Sequence, residues 1–129
     1  MKYNIALVDD HILIAKAIAG VIDNFPNYHV LYEVENGKAL IDKFKNPKNI
    51  PDLVLLDITM PVMDGFEATR RWRNQEQVLS LRRIPIIALT ANAMQGDEER
   101  CLAAGMDAHL AKPINLEALA NVLAKWLAL

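Results

Sequence analysis

Short continuous apolar runs alternate along this chain with stretches whose apolar residues recur every three to four positions. Ile5, Ala6, Leu7 and Val8 form the first run, closed by Asp9 and Asp10. A run of this length predicts a buried strand. Ile14, Ile18, Val21, Ile22 and Phe25 then recur at helical spacing, and Asn24-Phe25-Pro26-Asn27 stops that helix. His29-Val30-Leu31-Tyr32-Glu33-Val34 reads as a second strand. Leu40, Ile41 and Phe44 mark a short second helix, closed by Asn46-Pro47 and Pro51. Leu53-Val54-Leu55-Leu56 is the most apolar run, which predicts a central strand ending at Asp57. A loop with Pro61 and Gly65 leads to a third helix over 66–75. The segment 76–83 is polar and carries no clear period. Residues 84–89 predict a fourth strand ending at Thr90. A fourth helix over 95–104 stops at Gly105, which suits the residue just past a helix end. Ala108-His109-Leu110-Ala111 predicts a short fifth strand before Lys112-Pro113. Leu116, Leu119, Ala120, Leu123, Trp126 and Leu127 form the stripe of a last helix.

Five strands alternating with five helices imply a parallel sheet covered on both faces. Right-handed crossovers leave few ways to arrange it. The expected fold class is α/β, a flavodoxin-like doubly wound (βα)5 with a five-stranded parallel sheet in order 2-1-3-4-5. The 129 residues fit one domain over 1–129, with no repeat or linker.

Composition removes several function classes. The apolar runs are strand-sized, far short of the roughly 18 residues a membrane span needs. The start, MKYNIALVDD, lacks the apolar stretch and cleavage site of a signal peptide, so a cytoplasmic location is expected. A net charge of −2 gives no reason to expect a nucleic-acid surface. The single cysteine, Cys101, excludes an internal disulfide and reads as a buried thiol. His11, His29 and His109 match no zinc spacing; His11 and His29 read as solvated residues, and Trp72 and Trp126 as packing residues.

The chemistry collects where the strands end. Open parallel sheets bind ligands beyond the carboxyl ends of their strands, beside the topological switch. Strand one ends at Asp9-Asp10, strand three at Asp57, strand four at Thr90 and strand five at Lys112. Three carboxylates on one rim repel each other unless protons or a cation compensate. A hard divalent cation such as Mg²⁺ suits an all-oxygen set and also binds phosphate oxygens. Lys112 adds a positive charge that a phosphate would use, and Thr90 a hydroxyl donor. The set reads as phosphoryl transfer to a carboxylate, with Asp57 as nucleophile. Each residue alone has a plainer reading: a helix cap for Asp9 or Asp10, a turn for Asp57, a helix entry for Thr90, an ion pair for Lys112. Their convergence on one rim outweighs those readings.

Four pieces carry a family resemblance over essentially the whole chain. They are Leu7-Val8-Asp9-Asp10-His11, the run from Pro51-Asp52 through Asp57 to Met63-Asp64-Gly65, Ala88-Leu89-Thr90-Ala91, and Lys112-Pro113. In order and spacing the chain resembles response-regulator receiver domains of two-component signalling. The resemblance implies that Asp57 accepts the phosphoryl group. It implies Mg²⁺ bound directly by Asp10, Asp57 and the backbone carbonyl of Thr59, with Asp9 acting through water. Thr90 and Lys112 match the phosphate contacts, and the Lys112–Pro113 bond is expected to be cis. Thr90 and the side chain at position 109 would form the switch, shifting a face made of the fourth helix, fifth strand and fifth helix. Position 109 departs from the usual Tyr or Phe, since this chain carries His109 there. Thr59 and Asn92 match positions that tune the lifetime of the phosphoaspartate. The first half is more similar to receivers of DNA-binding regulators and the second to receivers of hybrid sensor kinases, as if joined near 74–83. The implied partners are a histidine kinase or a histidine phosphotransfer domain, a downstream output protein, and a second copy through the switch face. No membrane or direct nucleic-acid partner is expected.

Two other classes use similar parts. Aspartate-nucleophile phosphatases of the haloacid dehalogenase type place a second aspartate two residues after the first, where this chain has Thr59. Flavin carriers of flavodoxin type need a Ser/Thr/Gly-rich phosphate loop after strand one, where this chain has acid.

Overall fold

The structure, a computed structural model, describes residues 2–58, 63–90, 95–112 and 114–127, with backbone alone at 95–98. In chain order the elements are β1 (Tyr3–Val8), α1 (Ile12–Asn24), β2 (Tyr28–Val34), α2 (Gly37–Lys43), a 3-10 turn (Pro47–Asn49), β3 (Leu53–Asp57), α3 (Gly65–Val78), β4 (Ile86–Thr90), α4 (Gln95–Ala104), β5 (Ala108–Ala111) and α5 (Leu116–Leu127). The five strands form one parallel sheet in the order β2-β1-β3-β4-β5, the order expected from the alternation of strands and helices. No helix among the described residues is long and apolar enough to cross a membrane.

Burial explains the order. β3 and β4 are buried at every position, which suits strands flanked by neighbours on both sides. β2 and β5 carry half-exposed positions and lie at the edges. Side chains alternate across the sheet and build two cores. Ala6, Val8, Val54, Leu56, Ile86 and Ala88 face α2, α3 and α4, where Leu40, Phe44, Phe66, Trp72 and Cys101 pack on them. Ile5, Leu7, Leu53, Leu55, Ile87, Leu89 and Leu110 face α1 and α5, meeting Ile18, Ile22, Leu119 and Leu123. The buried readings of Cys101 and Trp72 hold, and His29 is exposed.

β1 begins at Tyr3, ahead of the expected Ile5, and two boundaries further along the chain differ from expectation for one shared reason. α3 runs on to Val78, through the segment with no clear period, and β4 begins at Ile86 instead of Ile84. Both meet in a buried polar cluster. The Arg73 guanidinium donates to Glu76 Oε1 at 2.8 Å, Asp107 Oδ2 at 2.8 Å, and the carbonyls of Gly105 and Ile84, each at 2.8 Å. Glu76 Oε2 accepts from the Trp72 indole at 2.7 Å and from the Ile84 amide at 2.9 Å. The Ile84 amide is therefore spent on a side chain, and Pro85 has no amide to give, so β4 starts two residues later, at Ile86. Arg73 and Glu76 turn inward from α3 into this cluster, while Arg70, Arg71, Asn74 and Gln75 stay exposed. Gly105, at φ +103°, ends α4 in a left-handed turn, with the Gly105 amide on Leu102 O and the Met106 amide on Cys101 O.

Removing the guanidinium leaves Glu76 and Asp107 as buried carboxylates with their main counter-charge gone. Arg73→Met is expected to lower unfolding free energy by about 3–5 kcal/mol, read as a shift of the urea midpoint at unchanged slope.

Candidate functional site

Register brings the strand-end residues together. Val8 pairs with Leu56, so Asp9 leaves β1 abreast of Asp57, the last residue of β3. Thr90, the last residue of β4, pairs with Ala111, and the Lys112 amide extends that ladder by donating to Thr90 O at 2.7 Å. The close start of α3 supports Asp57 from behind. A Cβ on Gly65 would lie 2.7 Å from the Asp57 carbonyl oxygen, so only glycine lets the helix approach this closely.

Alternation divides the rim into two faces. Leu55 and Leu110 face α1 and α5, and two residues further along their chains so do Asp57 and Lys112. Ala88 faces α3 and α4, and so does Thr90; Leu110 faces the other way, which puts His109 on the face of Thr90. The acids and the lysine therefore share one side, and the two expected switch residues share the other.

On the first side, Lys112 Nζ donates to Asp9 Oδ2 at 2.8 Å and to Asp57 Oδ2 at 3.2 Å. The side chains of Asp9 and Asp57 are 0% and 4% exposed, and that of Lys112 is 13% exposed. Asp9 Oδ1 accepts from the His11 amide at 2.9 Å and lies 3.1 Å from His11 Nδ1. Burial alone would raise the Asp9 carboxyl pKa. Hydrogen bonds from Lys112 and the His11 amide, with the lysine's charge, outweigh it and hold the group below its ordinary value. Burial alone would likewise lower the Lys112 pKa, but the hydrogen bond to Asp9 and the charges of Asp57 and Asp9 raise it.

Among the described residues, the carboxylates of Asp9, Asp10 and Asp57 thus gather beside one ammonium. On this rim two polar atoms shielded from solvent, Asp10 Oδ1 and Thr90 Oγ1, find no hydrogen-bond partner among the described residues. Ligand atoms of Asp9, Asp10, His11 and Asp57 all lie within 4.8 Å of one another. An oxygen-rich, under-compensated set of this size fits a hard divalent cation, with Asp9, Asp10 and Asp57 as the residues that would hold it. The expected ligand Thr59, the lifetime-tuning Asn92 and the Lys112–Pro113 bond lie outside the described residues. His11 was legible only as a neighbour of the acid pair. Its backbone turns out of β1, and this brings the ring over the carboxylates.

Residues 5–124 match the family described as Response regulator receiver domain. Histidine kinase 2 of Arabidopsis thaliana is 32% identical over 139 residues, covering 95% of this chain and 12% of its own length. Hybrid signal transduction histidine kinase M of Dictyostelium discoideum is 38% identical over 121 residues, covering 94% of this chain and 5% of its own length. The chain therefore spans a small part of each curated relative, and such kinases match both of its halves. The receiver domain of a sensor histidine kinase from Pseudomonas aeruginosa PAO1, crystallised with a magnesium ion coordinated in its active site cleft, is 38% identical with a TM-score of 0.82 over 100% of both chains. The co-crystal structure of the Saccharomyces cerevisiae phosphotransfer protein Ypd1 and the receiver domain of its downstream response regulator Ssk1 matches at 26% identity and a TM-score of 0.86, over 97% of this chain and 88% of that one.

The lysine pairing has a pH signature in metal-free protein. Asp9, held low, contributes stability above the unfolded carboxyl value of about 3.9, lost as pH falls through its folded value. Lys112, held high, contributes below its unfolded value of about 10.4, lost as pH rises through its folded value. In Lys112→Met the carboxylates face one another without the ammonium, so their folded pKa values rise. That variant is expected to lose Tm from about pH 4 to pH 7 as they ionise, where wild type holds or gains. Thermal denaturation in EDTA across this range is the measurement.

Proposed function

The chain belongs to the response regulator receiver family, the phosphoryl-accepting domains of two-component signalling, and we propose that Asp57 is its acceptor. The observation that carries this is a carboxylate only 4% exposed at the end of β3, with Lys112 Nζ 3.2 Å from its Oδ2. The hydroxyl of Thr90, without a hydrogen-bond partner among the described residues, stands on the same rim. A receiver is a signalling module, and the only chemistry proposed for it is on itself. We take residues 1–129 as one receiver unit.

In this reading a carboxylate oxygen of Asp57 attacks the phosphorus of a phosphohistidine in line. The new P–O bond forms as the P–N bond breaks, and the donor imidazole leaves with the electron pair and takes up a proton. Bound Mg²⁺, held by Asp9, Asp10, Asp57 and the Thr59 carbonyl, would offset charge on the transferring oxygens. Lys112 shifts from its carboxylate partners toward the phosphoryl oxygens, a point charge that needs no change of protonation. Thr90 donates its hydroxyl to one of those oxygens, which satisfies a buried group that has no other partner among the described residues. Movement of Thr90 acts on His109, which shares its side of the sheet, and through it on the face of α4, β5 and α5. An output protein or a second copy would read that face.

The phosphohistidine comes from a histidine kinase or a histidine phosphotransfer domain. Support for that class of partner lies beside the site. The first turn of α1 follows directly on the acid pair, and it exposes Ile12 to 56%, Leu13 to 84% and Ile14 to 39%, with Leu116 across from it at 58%. A shallow groove lined by Ile14, Ile18, Val21, Ile114 and Leu119 runs between α1 and α5, with Lys112 at its margin. Apolar residues this exposed, on the same side as Asp57, suit an apolar helical surface that presents its phosphohistidine to the acid. Histidine kinases make phosphohistidine from ATP, so we place the chain in the cytoplasm.

Acetyl phosphate with Mg²⁺ is expected to add one phosphoryl group, seen by intact mass or a phosphate-affinity gel. Asp57→Asn is expected to accept none; labelling that persists in this variant, or in EDTA, removes Asp57 from the role. For the docking surface, Leu13→Asp is expected to slow transfer from a phosphorylated histidine phosphotransfer protein by more than about tenfold relative to labelling by acetyl phosphate, a loss of the size expected for an interface anchor. Equal slowing of both reactions would place Leu13 outside the docking surface.

A further inference from the structure

We propose that the groove between α2 and the C-terminal end of α3 is a docking site for an acidic amphipathic helix of a partner protein. It lies at the end of the sheet away from Asp57 and does not depend on the phosphoryl chemistry there.

Exposed apolar residues locate it. Among the described residues, the large apolar side chains left to solvent fall into two groups, with Leu102 apart from both. One group is the surface of Ile12, Leu13, Ile14 and Leu116 beside the acids. The other is Val78, Leu79 and Leu81, exposed to 69%, 58% and 39%, where α3 stops. Leu79 and Leu81 form the lip of two hollows of about 310 Å³ and 250 Å³. The hollows share Pro47, Ile50, Trp72 and Leu81, so they make one continuous groove. Ile41 and Phe44 wall its α2 side.

The backbone is shaped to build this lip. Ser80 takes φ +54°, the left-handed conformation that glycine usually supplies just past a helix end. The turn is closed by the Leu79 amide on Gln75 O at 3.0 Å and the Leu81 amide on Glu76 O at 2.9 Å. It brings Leu81 back to the groove. The floor is fixed as well. The Trp72 ring packs on Phe44 with centroids 4.3 Å apart, and its indole N–H is committed to Glu76 at 2.7 Å. With the polar groups beneath matched to one another, the groove offers an occupant apolar surface that is already shaped.

Charge selects the occupant. Lys45 and Arg82 line the groove, and among the described residues no acid does. Each has a carboxylate partner, Asp42 at 3.3 Å from Lys45 and Asp52 at 3.2 Å from Arg82. Both cations are exposed, and such pairs exchange for another carboxylate at little cost. Lys48 stands exposed on the 3-10 turn beside them. An apolar ridge flanked by carboxylates therefore matches both the groove and its rim. The same ridge is repelled from the other apolar group, which borders Asp9, Asp10 and Asp57. The apolar surface also runs past the hollows to Val78. That length suits a helix laying residues i, i+3, i+4 and i+7 along it better than a compact small molecule.

The test titrates the intact chain into a fluorescently labelled peptide of about four helical turns, with leucines at i, i+3, i+4 and i+7 and glutamates on the flanks. Anisotropy is expected to show saturable binding of one peptide per chain. Trp72 emission, read in a Trp126→Phe background, is expected to shift with it. Leu79→Asp is expected to weaken binding at least about tenfold, the loss of an interface anchor. Lys45→Glu combined with Lys48→Glu is expected to weaken it and to flatten its dependence on salt, while Leu13→Asp leaves it unchanged. No saturable binding, equal affinity in Leu79→Asp, or equal affinity for a peptide with lysine flanks would overturn the proposal. So would loss of binding in Leu13→Asp but not in Leu79→Asp, which moves the peptide to α1. Decanoate that binds where the peptide does not would make the groove a small-anion site, and self-association abolished by Leu79→Asp would make it a contact between copies; either result overturns a helical partner. Circular dichroism melts confirm that each variant keeps the fold.

Discussion

Among the described residues, three carboxylates gather beside one ammonium at the carboxyl end of this sheet, and that balance of charge is what the rest of the molecule supports. Asp9 and Asp57 are buried, so their repulsion is not screened by water, and Lys112 reaches both but offsets only part of it. A site in this condition gains from a divalent cation, and in the proposed function would gain again from a phosphoryl group that recruits Lys112 and Thr90. The parallel register carries the strain. Once Val8 pairs with Leu56 and Thr90 with Ala111, the residues that follow have no other place to go.

The opposite end of the sheet shows the same residue types in a settled state. Arg73 meets Glu76, Asp107 and two carbonyls, and both carboxylates also accept backbone amides, Ile84 for one and Ile86 for the other. Donors and acceptors are matched there, so no polar group of the cluster is left for a ligand. The contrast explains how one small α/β layer can hold a fixed end and a responsive end. The satisfied cluster ties α3, β4 and the start of β5 together, and the under-compensated rim is free to answer a change of charge.

The alternation of side chains gives that answer a direction. Asp57 and Lys112 point to the side of α1 and α5, where exposed Leu13 and Leu116 flank the acids. Thr90 and His109 point to the side of α3 and α4. A phosphoryl group on Asp57, the acceptor proposed above, would bridge the two sides because the rim is where both faces end. Arrival of the donor and relay of the signal can then occupy different surfaces.

Strands, helices and the strand-end acids were legible in the amino-acid sequence because each depends on local pattern. Four-residue apolar runs, a helical stripe and a glycine after α4 state their structure within one or two turns of chain. Asp9, Asp10, Asp57, Thr90 and Lys112 were legible as a set because any parallel sheet collects its strand ends on one rim. The tail of α3 was not, since Arg73 and Glu76 look like solvent-facing residues until Asp107, more than thirty residues away, supplies the other half of their cluster. Nor was the place of His11, whose ring is exposed by area yet stands 3.1–3.7 Å from oxygens of three acids. The sequence by itself determined which residues could meet. Only the tertiary structure decided the stoichiometry of charge at the meeting point, because repulsion, pairing and ligand spacing depend on distances that no local pattern sets.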